Sequence, residues 1–305
     1  MKSTQPLISV IIPVFNRSWQ LRRALESLQG QTFKDFEVIV CDDGSTEDIS
    51  SLVNDFEAHL NIHLIRMPNW GGPAKPRNEG LKLASGQWIS YLDSDDWWDV
   101  DRLDVVAKRL NEDVDILYHP LRVVKESSTK KPREKRAVIG DPIFGDPFKQ
   151  MMLFGNPLPT SATIVRANLL VAHHGMSEDR GLIAIEDFDC WLRLASVGAH
   201  FYFLDQCLGN YWVGSDAISG KMERHIEAQL LLYQRHESKV AAFDSAQALA
   251  RQNYILGTMN FRLGNSSEAL KCLLAAKSLP TLKLVIKRWV LMIYSALNIV
   301  RDKVS

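Results

Sequence analysis

Hydrophobic positions in the first hundred residues fall into short, nearly unbroken runs, separated by longer segments with helical spacing. Leu7–Val14 (LISVIIPV) and Phe36–Cys41 (FEVIVC) are apolar and rich in β-branched residues. Such runs suit strands buried on both faces, as in a parallel sheet. Between them, Leu21, Ala24, Leu25 and Leu28 recur on one face of a helix predicted over Trp19–Gln29. The unit then repeats. Asp42–Thr46 forms a loop, and Ser45 or Thr46 is expected to cap a helix reaching about Leu60, with Glu47 and Asp48 in its first turn. Ile62–Ile65 reads as a third strand and Pro76–Ala84 as a helix ended by Gly86. Trp88–Leu92 reads as a fourth strand. This alternation predicts an α/β fold with a doubly wound, mostly parallel sheet and helices on both faces.

Further along, the pattern predicts a helix over Asp101–Asn111 and strands at Asp115–His119, Thr160–Val165 and His200–Leu204. Helices are expected at Phe148–Phe154 and Ile183–Val197, with His173–Asp179 irregular between them. Lys125–Ala137 is charged and reads as a loop or a hairpin between Val123–Val124 and Val138–Ile139. From about Lys221 every periodic segment is helical: Arg224–Phe243, Gln247–Leu263, Ser266–Lys277 and Leu282–Arg301. A first domain over residues 1–220 and a helical region over 221–305 follow.

The stretch Trp88–Trp98 (WISYLDSDDWW) carries the first chemistry. A buried strand ends in Asp93, Asp95 and Asp96. Carboxylates this close repel by about 1 kcal/mol per pair at high dielectric, and more when buried. A hard divalent cation, Mg2+ or Mn2+, would offset that. Taken alone, the motif reads first as a solvated acidic turn. Ligands of doubly wound sheets bind outside the carboxyl ends of the strands. The loops after the first, second and fourth strands carry Asn16, then Asp42 and Asp43, then the three acids, so these loops are expected to converge on one edge.

Composition narrows the classes. Lys and Arg balance Asp and Glu at 36 each, so no global field points to nucleic acid. The one local basic patch is Lys125–Arg136. The four cysteines have no metal-ligand spacing and read as reduced thiols of a reducing compartment, which places the chain in the cytoplasm. The N-terminal apolar run is too short for a signal peptide, and no uncharged apolar run reaches the 18 or so residues of a membrane span. No GxGxxG follows a strand, which argues against a dinucleotide-dependent dehydrogenase. Leu282–Val300 mixes a broad apolar surface with Lys283, Lys287, Arg288, Trp289 and Tyr294. It reads as an interfacial helix on the cytoplasmic face of a membrane, or as a helix packed on its neighbours or in a homodimer.

The motifs ISVIIPVFNR, VCDDGSTED, PRNEGL, GQWISYLDSDDWW and a later Glu-Asp pair occur in order. Together, over residues 7–215, they resemble the family 2 inverting glycosyltransferases of the GT-A fold. The resemblance implies a nucleotide-sugar donor, a UDP-sugar foremost. It also implies a saccharide or lipid-linked saccharide acceptor, a divalent cation, and a place in cell-surface polysaccharide or glycoconjugate synthesis. By position, Pro13, Phe15 and Asn16 would meet the base and ribose, and Asp43 the base. Arg77 would lie near the diphosphate, Asp93 and Ser94 on the ribose side, and Asp95 on the metal with Asp96 beside it. Asp187 would be the general base with Glu186 as its neighbour.

Each residue has a structural alternative. Pro13 can merely stop a strand. Asp43 can be a turn former, Arg77 a partner of Glu79, and Glu186 and Asp187 ordinary first-turn acids. Trp97 and Trp98 can be core rather than sugar-stacking platforms. Like-charge repulsion from Glu186 would raise the Asp187 pKa and the helix N-terminus would lower it. The QxxRW motif of processive synthases is absent, which favours transfer of a single sugar. The two rival readings are a non-catalytic nucleotide-sugar-binding protein and a sugar-nucleotide pyrophosphorylase. The loop FNRSW lacks the Gly-rich basic character of the latter.

Overall fold

The computed structural model describes residues 5–125, 138–214, 222–243 and 245–304. The loop or hairpin connection expected up to Ala137 lies outside these residues beyond Lys125. The chain divides into two compact units: Met1–Ile143 with Asn156–Ala217, and Phe144–Gly155 with Ile218–Ser305.

In the first unit, β1 (Ile8–Val14) has parallel neighbours on both sides, β2 (Phe36–Asp42) and β4 (Trp88–Tyr91). β3 (Ile62–Arg66) extends the sheet beyond β2. Beyond β4 lies β9 (Thr163–Arg166), antiparallel to β4 and to β6 (Ile116–Tyr118), and β10 (Phe201–Phe203) completes seven strands. Every residue of β1 and β2 is buried, as continuous apolar runs require. Ile8, Val10, Ile12 and Val14 face Leu21, Leu25 and Leu28 of α1 (Ser18–Gln29). On the opposite face, Gly80 of α3 (Ala74–Leu83) lies against Ile11 and Cys41. Helices therefore cover both faces. A second sheet orders β5 (Trp97–Trp98), β11 (Gly209–Val213), β7 (Leu121–Lys125) and β8 (Val138–Ile139). α2 (Ile49–Asn54), α4 (Arg102–Ala107), α6 (Ala167–Ala172) and α7 (Glu186–Ser196) complete this unit.

Pro13 does not stop its strand. Ile11 accepts from Leu92, on the β4 side, and Val14 accepts from Asp43, on the β2 side. By that alternation the missing Pro13 N–H points towards β4, whose pairing with β1 has already ended at Tyr91. No ladder bond is lost. The helix after β2 is also shorter than expected, and its cap is Asp48, which accepts from the Ser51 amide at 3.0 Å. Asp42 instead accepts from the Ser45 amide at 2.8 Å and holds the loop. Strands β5 and β11 and helix α6 were not legible from the pattern, being two to six residues long.

The second unit is helical: α5 (Pro147–Phe154), α8 (Met222–Val240), α9 (Ser245–Arg262), α10 (Ser266–Ala275) and α11 (Leu282–Val304). Tyr254, Leu273, Ala276 and Met292 form its small core. Among the described residues no helix is long and apolar enough to cross a membrane.

A Cβ on Gly80 would sit 2.6 Å from Ile11 Cγ2 and 2.9 Å from Cys41 Sγ. Gly80→Ala should therefore push α3 off the sheet and cost about 1–3 kcal/mol by overpacking. A urea titration reads this directly, and an unchanged midpoint would contradict the packing.

Candidate active site

Three loops at the carboxyl ends of the central strands are stitched together by side chains. Asn16 follows β1 in the left-handed region, φ 50°, which asparagine tolerates better than most residues. Its amide donates to Ser45 Oγ at 2.9 Å, and its Oδ1 accepts from the Thr46 amide at 2.8 Å. Glu47 accepts from the Ser18 amide at the start of α1 at 2.7 Å. Phe15 stands exposed beside them.

Asp43 is buried, and both its oxygens are engaged. Oδ1 accepts from the Trp70 amide at 2.7 Å and Oδ2 from the Gly71 amide at 3.0 Å. Burial raises its pKa against these donors. Asp43 thus shapes the loop between β3 and α3. Gly44, at φ +78°, lets that loop close, because a Cβ there would lie 2.7 Å from the Asn69 amide nitrogen. Lys75 and Arg180 both lie over the Trp70 ring, 4.7 and 4.4 Å from its centroid.

The acidic loop after β4 is cross-braced by arginines. Arg77, from α3, is 3% exposed and donates to Asp93 at 2.6 Å and to Glu186 at 2.7 Å. It is not paired with Glu79, which bonds Lys82 instead. Burial opposes its charge, but Asp93 and Glu186 outweigh that and raise its pKa. Arg17 pairs with the Asp95 carboxylate, and Arg23 donates to the Asp95 carbonyl at 2.5 Å. The charge offset that the sequence reading sought in a cation is thus partly supplied by the protein. Ser94 is buried. Asp96 is buried and accepts from the Trp212 amide at 2.8 Å, which ties the loop to β11. Burial raises the pKa of Asp95 and lifts that of Asp96 well above the ordinary range.

The two tryptophans part company. Trp98 is buried, donates to the Ser161 carbonyl at 2.7 Å and carries Arg102 3.8 Å over its ring, so it belongs to the core. Trp97 is half-buried, with Arg23 3.8 Å over its ring. That guanidinium also lies over Trp19 and Trp212.

The Glu-Asp pair opens α7. Glu186 turns inward to Arg77, and its second oxygen accepts from the Ala184 amide at 2.8 Å. Ala184 is held at φ 78°, a strained conformation for alanine. Asp187 keeps some solvent access and accepts from Thr160 Oγ1 at 2.7 Å and Asn156 Nδ2 at 3.3 Å. Burial raises its pKa, while Thr160 and Arg77 hold it down. The contest between Glu186 and the helix N-terminus that the sequence posed is therefore overtaken by desolvation. Arg17, Arg23, Asn156, Thr160 and Trp212 escaped the sequence reading. Arg17 stood in the FNR motif itself, whereas the others carry no local signal.

A divalent cation held mainly by a donor's phosphates needs only one or two protein carboxylates. Asp95 and Asp93, with side chains 21% and 29% exposed, supply suitable hard oxygens, so the donor set fits Mn2+ or Mg2+. Among the described residues no group of three or more His, Cys, Asp or Glu forms a self-sufficient metal site.

A seven-stranded, mostly parallel sheet whose loops gather acids at its carboxyl edge defines a GT-A-type fold. Solved structures share it. Staphylococcus aureus TarS 1–349 in complex with UDP-GlcNAc aligns with TM-score 0.61 and 22% identity over 90% of this chain and 81% of that one. The mannosyltransferase PcManGT from Pyrobaculum calidifontis, in complex with GDP-Man and Mn2+, aligns with TM-score 0.58 and 19% identity over 97% and 86%. The sequence profile of Glycosyl transferase family 2 matches residues 9–169, over half of the 305 residues, and the chain belongs to that family.

A Campylobacter jejuni GalNAc(5)-diNAcBac-PP-undecaprenol beta-1,3-glucosyltransferase is 35% identical over 128 residues, 41% of each chain. The Escherichia coli UDP-Glc:alpha-D-GlcNAc-diphosphoundecaprenol beta-1,3-glucosyltransferase WfgD is 31% identical over 123 residues, 40% of this chain and 48% of that one. The matched region is under half the length of these curated relatives.

Arg77→Met would strand Asp93 and Glu186 without their counter-charge. A loss of about 3–5 kcal/mol at neutral pH is expected in chemical denaturation. The deficit should shrink as the pH is lowered, because Glu186, whose pKa burial already raises and Arg77 holds down, takes a proton more readily without that guanidinium.

Proposed function

We propose that the chain is an inverting glycosyltransferase that moves one sugar from a UDP-sugar to a hydroxyl of a lipid-linked saccharide. The observation that carries this reading is Arg77, which ties Asp93, at the end of β4, to Glu186, the neighbour of Asp187. One buried guanidinium thereby sets the donor-side acids and the base in a fixed relation. The UDP-sugar and the lipid-linked acceptor are supported by the E. coli and C. jejuni relatives named above and by the UDP-GlcNAc complex.

In the reaction, the acceptor oxygen attacks the anomeric carbon on the face opposite the leaving group. The new C–O bond forms as the bond from that carbon to the diphosphate oxygen breaks. The electron pair leaves with the nucleoside diphosphate, and the acceptor's proton passes to Asp187. Asp95 and Asp93 would hold a divalent cation, which supplies Lewis-acid stabilisation of the departing diphosphate. Asn16 and Phe15 at the end of β1, with the Asp43-shaped loop, would receive the nucleoside. Thr160 and Asn156 orient the Asp187 carboxylate. The four cysteines are free thiols, which accords with a cytoplasmic place beside such donors.

Asp187→Asn should lower kcat by about 10²–10⁴-fold, the usual worth of a general base, and leave donor affinity unchanged. Transfer at the original rate would remove Asp187 from this role. Asp95→Ala should instead abolish the turnover that Mn2+ or Mg2+ supports.

The acid limb of kcat/KM reports the base. Its pKa is raised, so activity should fall below a pH higher than the carboxylate norm of about 4. Thr160→Val removes a hydrogen bond that holds this pKa down and should move the limb to still higher pH. A limb that stays in place would separate Asp187 from the rate.

A further inference from the structure

Helix α11 is apolar on both its sides. One side packs inside its own unit: Met292 joins the core of Tyr254, Leu273 and Ala276, with Leu284 and Leu291 against it. Arg288 donates to the Ala276 carbonyl at 2.6 Å. The other side presents Leu282, Ile286, Trp289, Ile293, Leu297 and Val300, each between 52 and 75% exposed. Spacings of three and four residues place these on one continuous stripe. A stripe of this size on a folded unit marks an interaction surface.

Charge decides what fits it. Between Ala269 and Arg301 the chain carries six basic residues and no acidic one, although the whole chain is neutral. Lys283 and Lys287 are exposed on the same helix. Over its whole length α11 carries Lys283, Lys287, Arg288, Arg301 and Lys303 against the single acid Asp302, so a second copy apposed to this face would bring mostly like charge. Trp289 and Tyr294, both more than half exposed, suit the boundary between headgroups and acyl chains.

We propose that this face of α11 lies on an anionic lipid leaflet, with the apolar stripe at the acyl boundary and Lys283 and Lys287 on the lipid phosphates. The inference stands on the helix alone and does not depend on the transferase reading.

Flotation of the full chain with vesicles tests it. The chain should rise with phosphatidylglycerol-containing vesicles and stay down with pure phosphatidylcholine. Ile286→Glu/Ile293→Glu should stay down with both while keeping the unfolding midpoint, since both residues are more than half exposed and neither belongs to the core of the unit. Lys283→Gln/Lys287→Gln should weaken partition by about thirty-fold, roughly fivefold for each basic residue at an anionic surface. Failure to rise with phosphatidylglycerol overturns the proposal, as does equal recovery with phosphatidylcholine. A dimer in light scattering that Ile293→Glu splits, without vesicle binding, would give the face to a second copy.

Discussion

The buried guanidinium of Arg77 is the constraint on which the site depends. It meets two carboxylates from opposite ends of the fold's chemistry: Asp93, where β4 ends, and Glu186, where α7 begins. A fully buried charge is tolerable only when paired and hydrogen-bonded, so neither acid can leave without exposing the others to that cost. Asn78, the next residue on α3, extends the brace. It donates to the Met176 carbonyl at 2.8 Å and accepts from the Met176 amide at 2.9 Å. Helix α3 thus fixes the approach to α7 by side-chain chemistry, and Gly80 brings it close enough to the sheet to do so.

Around this brace the acids are neutralised from inside the protein. Asp93 has Arg77, Asp95 has Arg17, and the Asp95 carbonyl has Arg23. The aromatic faces of Trp19, Trp97 and Trp212 in turn lie under the Arg23 guanidinium, whose pKa is lowered by burial. Trp97 is therefore an element of electrostatic support before it is a platform for sugar. A similar division holds within the acidic loop: Asp96 is given over to Trp212, whereas Asp93 and Asp95 retain access to solvent.

The central sheet was legible because its strands are buried on both faces, and continuous apolar runs have few other solutions. The acids at strand ends were legible too, since topology alone sends the ends of parallel strands to one edge. What escaped was long-range pairing. Nothing in the spacing of Arg17, Thr160 or Asn156 announces a partner 27 to 78 residues away. Capping failed for a related reason, because Ser45, Thr46 and Asp48 are all competent caps and tertiary contacts chose among them. Asn16 claims Thr46 and Ser45, which leaves Asp48 to the helix. Trp98 was ambiguous because an aromatic at a strand end can turn either way.

The pKa directions give this arrangement a thermodynamic sense. Asp95, Asp96, Glu186 and Asp187 all have values raised by burial. A carboxyl whose folded value is raised binds more protons in the native state than in the unfolded chain over the interval between the two values. Stability then falls as pH rises through that interval, the reverse of an ordinary salt-bridged acid. Above that interval these groups cost the fold stability, which the rest of the sheet and its two helical layers must offset. Such a cost is expected where carboxylates are assembled for chemistry rather than for stability. Asp48, which caps α2, and Glu37, which accepts from Ser9 and Ser85 at 2.6 to 2.9 Å, lie outside the cluster. The Glu37 pKa is lowered by these hydrogen bonds against the opposing effect of burial, so that acid contributes stability above the ordinary carboxylate range. Glu37 and the crowded acids thus differ in the balance of two effects: at Glu37 the hydrogen bonds outweigh burial, whereas at Asp95, Asp96, Glu186 and Asp187 burial outweighs the donors and cations around them.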